Sequence, residues 1–191
     1  MIGTQHNRAE FMLRAGTPAD AERVRAFVAG LSLRSQFFRF FASVATPSSS
    51  LLRSLTGADG RADVLIAVDP VGDVVGHGMV VDRAGGNGRC VSDIGVVVTD
   101  VWQGRGVGSA LLRALARRAA DRGSAELVMD VLPENNRMLG MIDRRWPRAR
   151  RSRNRDSVTI RASLTTPAPA APAPAIPAPA IPAPAVPVPA D

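Results

Sequence analysis

The fold of this chain is decided by the stretch Val96-Val97-Val98-Thr99-Asp100-Val101-Trp102-Gln103-Gly104-Arg105-Gly106-Val107-Gly108. Its three β-branched valines predict a buried strand, and a helical pattern begins at Val107. The glycines between them let backbone N–H groups turn toward one concave point, which the positive end of the helix dipole also faces. Such a loop is a receptor for phosphate, although a glycine-rich turn that binds nothing has the same spacing. The Rossmann and Walker A motifs are excluded, because Gly-x-Gly-x-x-Gly and Gly-Lys-Ser/Thr do not occur here.

The composition of the 191 residues leaves room for one compact domain with extensions. Hydrophobic residues make up 46% of the chain, which is enough for a core, and aromatic residues only 4%. Cys90 is the single cysteine, so an intrachain disulfide is excluded and a reducing compartment is expected. The sequence starts without a signal-peptide pattern and contains no stretch of about 18 apolar residues. We therefore expect a cytoplasmic protein without a membrane partner.

The basic residues are distributed unevenly. All 24 are arginines, and residues 1–143 are nearly balanced in charge. Most of the net charge of +7 comes from an arginine patch that consists of Arg144, Arg145, Arg148, Arg150, Arg151, Arg153 and Arg155. No helix-turn-helix, zinc-finger or RNA-binding motif accompanies this patch. A solvated or anion-contacting surface is therefore favoured over nucleic-acid binding.

Hydrophobic periodicity and turn residues predict the order of the elements. A strand at Phe11–Arg14 precedes a helix at Pro18–Ala29 capped by Thr17, a helical segment at Ser35–Phe41 and a short helix within residues 46–57. The remaining elements are strands Asp63–Val68, Val74–Val81 and Cys90–Val98, helix Gly106–Arg122, strand Glu126–Leu132, helix Glu134–Arg145 and strand Ser157–Leu164. This order predicts an α/β fold with a mixed, mostly antiparallel sheet flanked by helices.

The chain divides into a domain and two extensions. Residues 11–164 hold all predicted elements, and residues 1–10 form a polar, flexible N-terminus. Residues 165–191 form a tail in which ten prolines and ten alanines alternate with a few aliphatic residues. Proline lacks the N–H donor and disfavours helix at the preceding residue, so we expect a disordered, polyproline-II-like spacer. The alternative for this tail is a ligand for the aromatic groove of a partner.

Three parts of the sequence resemble the GNAT superfamily of acetyltransferases, and within it the bacterial Pat-type protein lysine acetyltransferases. The segments Leu13–Ala21, Leu31–Ser35 and Phe38–Phe41 are similar to the family opening "LRP-x-x-P-x-D", "LSPES" and "RFF". The segment Ile94–Gly108 is similar to the family's cofactor strand and loop. Glu134-Asn135-x-x-Met138-Leu139 is similar to its "EN-x-x-ML" helix start. The resemblance extends over residues 11–164.

The resemblance implies a site for acetyl-CoA beside the fourth strand. Val96 and Val98 would pair with the pantetheine arm, and the N–H of Val96 or Val97 would polarise the thioester carbonyl. The helix-start Asn135 would contact coenzyme A. Gln103 opens the phosphate loop, whose backbone would hold the phosphates at Gly104, Arg105, Gly106, Val107, Gly108 and Ser109.

Asp93 is the candidate general base. An amine must lose its proton before it attacks a thioester, and Asp93 is a carboxylate inside an apolar strand just before the cofactor segment. Partial burial in such a strand raises the pKa of a carboxyl group, as a base requires. The alternative is a salt-bridged or edge-facing aspartate. Asp93 stands where the family usually has Glu, so a water would relay the proton.

Other features modify these expectations. The chain has no tyrosine, whereas many GNAT enzymes use one as the acid, and Arg145-Trp146-Pro147-Arg148 replaces the family's "GF". His77 is expected to be structural rather than a second base. The phenylalanines Phe37, Phe38, Phe40 and Phe41 are expected in the core, or else in one wall of an acceptor groove.

The sequence therefore predicts an acyl-CoA-dependent N-acetyltransferase without a metal. The acceptor is an amine, for which a protein lysine is one candidate and a small-molecule amine another. The alternatives from other classes are a non-catalytic acyl-CoA sensor and a nucleic-acid-binding protein that uses the arginine patch. The sequence does not indicate the oligomeric state.

Overall fold

The computed structural model describes residues 11–44, 46–85 and 88–164, so both predicted extensions lie outside it. The strands are β1 (Met12–Ala15), β2 (Ala62–Val68), β3 (Val74–Ala84), β4 (Cys90–Val98), β5 (Glu126–Val131), β6 (Arg150–Arg153) and β7 (Val158–Ser163). The helices are α1 (Ala21–Ala29), α2 (Leu33–Phe40), α3 (Ser49–Leu55), α4 (Val107–Asp121) and α5 (Asn136–Arg145). The predicted α/β fold is confirmed, and the predicted element order holds except for β6.

A seven-stranded mixed sheet in the order β1-β2-β3-β4-β5-β7-β6 organises the molecule. Its neighbours are antiparallel except for β4 and β5, which are parallel. This parallel ladder begins at Val91 opposite Glu126 and ends at Asp93 opposite Val128. Within the described chain, β4 therefore continues beyond Asp93 without pairing to β5, and the sheet splays open there.

Helices cover both faces of this sheet. Successive strand residues point to opposite faces, and in β2 the side chains of Leu65 and Ala67 join the cluster around α4, whereas Val64 and Ile66 join the cluster around α1 and α3. Helix α4 packs on the sheet through fully buried residues such as Leu111 and Leu115. Burial of each leucine side chain contributes about 1.5–3 kcal/mol of hydrophobic free energy, so α4 is held firmly against the sheet.

The start of α1 is fixed by an ion pair. A 3₁₀ turn at Pro18–Asp20 follows Thr17, and the carboxylate of Asp20 accepts a hydrogen bond from the Thr17 N–H at 3.0 Å. Asp20 is only 2% exposed, and its Oδ1 lies 2.6 Å from Nη2 of Arg14 on β1. Hydrogen bonding to Arg14 lowers the pKa of Asp20 well below its ordinary value. The predicted helix start at Thr17-Pro18 is thus confirmed, with α1 itself beginning three residues later.

Two expectations about local structure were wrong. Strand β6 was not predicted, because Arg150-Arg151-Ser152-Arg153 has no apolar residue and all four residues are exposed. The segment is a strand because it pairs with β7. Most of the phenylalanine cluster is not in the core, since Phe37 is 49% and Phe41 41% exposed, although Phe40 packs against the cluster around α1 and α3. In the described part of the chain, no helix is both long and apolar enough to cross a membrane.

Candidate active site

A cleft of about 250 Å³ lies where β4 and β5 separate. We call it the β4–β5 cleft. Helix α2 bounds it on one side and the beginning of α5 on the other. Its lining residues are Phe38, Arg39, Phe41, Asp93, Ile94, Gly95, Val96, Val128, Met129, Asp130, Val131, Asn135 and Met138. The cleft therefore lies beside the fourth strand, where the family resemblance implied the site for acetyl-CoA.

The predicted cofactor residues of β4 have different positions. Val96 lines the cleft and is partly exposed. The side chains of Val97 and Val98 are 8% exposed and pack into the hydrophobic clusters. The carbonyl of Val98 already accepts a hydrogen bond from Nε2 of Gln103 at 3.1 Å. Val96 is therefore the valine that presents a surface to a ligand in the cleft.

The loop before α4 has the geometry of an anion receptor. Gly104 and Gly106 adopt φ values of +81° and +91°, which favour glycine, and added Cβ atoms would meet open space. Gly104, Arg105 and Gly106 are exposed, whereas the side chain of Val107 is fully buried and holds the helix start in place. The first backbone N–H groups of an α-helix have no partner within the helix, and among the described residues no side-chain cap is found at the start of α4. The loop thus leaves donors free for phosphate oxygens.

Gln103 ties this loop to two helices. Its amide nitrogen donates to Oγ of Ser35 on α2 at 3.0 Å, and its Oε1 accepts from Nη1 of Arg137 on α5 at 3.0 Å. Asp100 reinforces the connection to α2, since it accepts hydrogen bonds from the hydroxyl of Ser32 at 2.9 Å and that of Ser35 at 3.0 Å. The side chain of Gln103 therefore uses its hydrogen bonds to position the loop. The serines and Asp100 were not predicted as site residues.

The beginning of α5 lies beside both the loop and the cleft. The Oδ1 atom of Asn135 accepts from the N–H of Met138 at 3.1 Å and so caps the helix, and both residues line the cleft. One turn further on, Sδ of Met141 accepts a hydrogen bond from the hydroxyl of Ser109 on α4 at 3.2 Å. The predicted residues Asn135 and Ser109 are thus brought to the same region as Val96 and the loop.

Asp93 lies at the end of the β4–β5 ladder, on the cleft. Its carboxylate forms a two-pronged ion pair with Arg83 on β3, Oδ2 to Nε at 2.5 Å and Oδ1 to Nη2 at 3.1 Å. The side chain is 45% exposed, so Asp93 is salt-bridged and open to solvent rather than enclosed by apolar residues. Arg83, which was not predicted, is ten residues earlier in the sequence and reaches Asp93 through the β3–β4 hairpin.

A second depression, the outer groove, opens next to Asp93. Its volume is about 460 Å³. It shares Phe41, Val128 and Asp130 with the β4–β5 cleft, and its other lining residues are Arg83, Asn154, Ser157, Thr159 and Arg161. Phe41 thus lines both depressions and Phe38 lines the β4–β5 cleft, so these two residues form a groove wall, which was the alternative considered for the phenylalanine cluster.

Arg39 is the largest residue of the cleft to which the sequence assigned no role. Its Nε is buried and has no hydrogen-bond partner among the described residues. Burial lowers the pKa of Arg39 to about 10, so the guanidinium remains charged at neutral pH. The available signal in the sequence was a charged residue inside a run of phenylalanines.

His77 is a structural residue. It is 1% exposed, its Nε2 lies 2.8 Å from the carbonyl of Leu55 at the end of α3, and its ring stacks on Phe27. Burial, together with the charge of Arg39, lowers the pKa of His77 to about 4. Among the residues that the structure describes, no group of three metal-ligating side chains comes together.

The comparisons with known proteins agree with this geometry. The acetyltransferase (GNAT) family model matches residues 32–145. The GNAT domain of PAT from S. lividans is similar, with 25% identity, a TM-score of 0.70 and coverage of 84% of this chain and 99% of that domain. A cAMP-binding acyltransferase from Mycobacterium smegmatis is 28% identical, with a TM-score of 0.54 and coverage of 82% of this chain but only 44% of its own. Among curated protein sequences no significant match is found.

A more distant structure confirms the fold alone. An N-acetyltransferase from Staphylococcus aureus Mu50 is 13% identical, with a TM-score of 0.62 and coverage of 82% of this chain and 99% of its own. The family model spans more than half of the sequence, including the β4–α4 loop and the start of α5. The chain belongs to the GNAT family of acetyltransferases.

Proposed function

We propose that the protein transfers an acetyl group from acetyl-CoA to a primary amine that enters the β4–β5 cleft from the outer groove. The observation that carries the proposal is the splay after Asp93, which brings a free stretch of β4, a carboxylate and the start of α5 together. A family member with this arrangement has what acyl transfer requires: a place for the thioester, an anion receptor and a proton acceptor.

The residues present fit acyl-CoA. The exposed backbone at Gly104–Gly106 and the uncapped start of α4 would hold the phosphates. The surface of Val96 and the contact between Ser109 and Met141 lie along the path from that loop to the cleft. Bound there, acyl-CoA supplies the activated acyl carbon. The unpaired edge of β4 after Asp93 offers backbone N–H groups that would polarise its carbonyl.

Asp93 is the proposed general base. It lines the cleft and stands next to the outer groove through Arg83, so an amine that reaches Val96 passes its carboxylate. The amine gives up its proton to Asp93, directly or through water, the new C–N bond forms and the C–S bond breaks. Because the chain has no tyrosine, the proton for the departing sulfur comes from Asp93 or from solvent.

The proposed acceptor is a lysine side chain of a protein. The outer groove is larger than the cleft and is bordered by exposed residues such as Phe41 and Asp130, so a side chain presented by a large molecule has access. The similarity to the GNAT domain of S. lividans PAT supports this choice. A small-molecule amine is the alternative acceptor, and a sensor that binds acyl-CoA without turnover is the alternative from another class.

The test is acetyl transfer to a panel of acceptors. The protein is incubated with acetyl-CoA and with lysine-containing proteins, peptides and small amines, and both free CoA thiol and the mass of each acceptor are measured. Acetylated lysine supports the proposal, and acetylation of small amines alone assigns the alternative acceptor. Binding of acetyl-CoA without transfer to any acceptor supports the sensor.

A further inference from the structure

The cationic side chain of Arg39 lies against the backbone of β4 inside the cleft. Its guanidinium occupies the position where a side chain at Gly95 would begin, since an added Cβ there would lie 2.8 Å from Cζ and 2.9 Å from Nη1 of Arg39. Gly95 directly precedes Val96 and is itself part of the cleft lining. The absence of a side chain at Gly95 thus lets the charge approach the strand that would carry the thioester.

Arg39 has no anionic partner within the described chain. The carboxylate of Asp93, which lines the same cleft, pairs with Arg83 instead. Besides the backbone at Gly95, the guanidinium contacts the ring of Phe40, whose centroid lies 5.3 Å from Cζ. Arg39 is half-buried and its Nε is withdrawn from water without a counterion, which costs desolvation free energy, so a purely structural role would favour an uncharged side chain here.

The neighbourhood of Arg39 keeps its charge uncompensated. The buried His77 stays neutral because its pKa is lowered to about 4, and it therefore adds neither a second positive charge nor a negative one. Phe38 of α2 and Phe41, which follows that helix, line the cleft together with Arg39. Their apolar rings exclude water and thereby strengthen any ionic contact made there. A ligand anion in the cleft would receive charge-assisted hydrogen bonds from a fixed planar donor.

We propose that Arg39 binds a carboxylate of the substrate and sets the specificity of the cleft. This rests on the acyl transfer proposed above. The carboxylate belongs either to a dicarboxylic acyl group on CoA, such as succinyl, or to an amino-acid acceptor. The first source is compatible with a protein lysine as acceptor, whereas the second replaces it with a small molecule.

Binding measurements with two matched pairs test this proposal and separate the sources. Titration calorimetry compares succinyl-CoA with butyryl-CoA, which has the same chain length without the carboxylate. In the presence of CoA, it then compares L-phenylalanine with phenethylamine. The variants are Arg39→Gln, Arg39→Lys and the control Arg34→Gln, since Arg34 is an exposed arginine of the same helix that does not line the cleft.

We expect the parent to bind the carboxylate member of one pair about tenfold more tightly than its partner. Arg39→Gln should remove this preference, Arg39→Lys should keep part of it, and Arg34→Gln should leave it unchanged. A preference within the first pair assigns the acyl group, and one within the second assigns the acceptor.

Two results would overturn the proposal and differ in their meaning. If acetyl-CoA binds normally but neither pair shows a carboxylate preference, or Arg39→Gln retains it, the role of Arg39 is wrong and the proposed function stands. If no acyl-CoA binds to the folded parent, both are wrong. Thermal unfolding of Arg39→Gln without ligand gives a check, because loss of a half-buried charge that has no ion-pair partner among the described residues should not lower the melting temperature.

Discussion

Arg83 on β3 donates two hydrogen bonds to the carboxylate of Asp93 on β4, and the shorter one joins Nε to Oδ2 at 2.5 Å. The pair spans neighbouring strands of a hairpin and stands where the β4–β5 cleft meets the outer groove. Hydrogen bonding to Asp93 raises the pKa of Arg83, so the guanidinium stays charged throughout the working pH range. The carboxylate that would accept the proton of the amine is therefore also the ion-pair partner of Arg83.

The first prediction concerns this pair. If Asp93 is the base, Asp93→Asn should lower kcat about 10²–10⁴-fold and leave the Kd for acetyl-CoA nearly unchanged. Arg83→Gln should not lower kcat in the same way, because it retains the carboxylate that accepts the proton. Steady-state kinetics across pH, with calorimetry for the cofactor, measure both variants. Equal activity of Asp93→Asn and the parent would remove Asp93 from the mechanism.

A second prediction follows from the buried His77. Its pKa is about 4 in the folded protein instead of 6.5, so the unfolded chain binds a proton more readily between these values. The folded state should therefore lose up to about 3 kcal/mol of stability as the pH falls from about 6.5 to about 4. His77→Gln, which keeps a donor for the Leu55 carbonyl, should not show this loss. Urea unfolding at several pH values measures it, and parallel pH profiles of parent and variant would contradict it.

The third prediction concerns the arginine patch. Arg150 pairs with Glu126 and Arg151 with Asp143, whereas Arg148, Arg153 and Arg155 are exposed and make no ion pair within the described chain. If the patch recruits an acidic protein acceptor, replacing these three with Gln should raise KM for that acceptor but not for acetyl-CoA. The effect should fade with salt, because exposed charges are screened within about 8–10 Å.

The matched control for the patch is Arg113→Gln with Arg117→Gln, which removes two exposed arginines of α4. It should leave KM for the acceptor unchanged. Nucleic-acid binding would instead give a log–log salt slope of about −0.9 per phosphate neutralised. If the parent shows that slope with duplex DNA, and the three substitutions do not affect acetyl transfer, nucleic-acid binding rather than acceptor recruitment is the role of the patch.

Local patterns in the sequence predicted most of the fold. The strand Cys90–Val98 was predicted with its observed bounds, because its apolar residues are framed by turn residues. Thr17-Pro18 marked the start of the first helical segment through its capping residue and its proline. Strand β6 was missed since an exposed edge strand made of arginines has neither alternation nor β-branched residues, and only its register with β7 defines it.

The sequence predicted the parts of the candidate site that are local motifs, but not the contacts between residues that are far apart in the chain. The loop Gln103–Ser109 and the helix start at Asn135 are defined by local sequence motifs, so the sequence located both without any tertiary contact. The partner of Asp93 and the position of Arg39 depend on strand register and on the docking of α2 over Gly95. Those contacts join residues from separate elements, and composition alone does not indicate which face of a helix receives them.

Calorimetric titration of acetyl-CoA into the parent, Gly106→Asp and Gly123→Asp tests the claim that the loop before α4 holds the phosphates of the co-substrate. Gly106 and Gly123 have similar φ values of +91° and +84°, with open space around each, but they lie at opposite ends of α4. We expect one site in the parent and in Gly123→Asp, and none in Gly106→Asp, where the added carboxylate would occupy the phosphate position. At about 100 times Kd, the parent should gain about 2.7 kcal/mol of stability. Absence of binding in the folded parent, or equal binding in both variants, would contradict the claim.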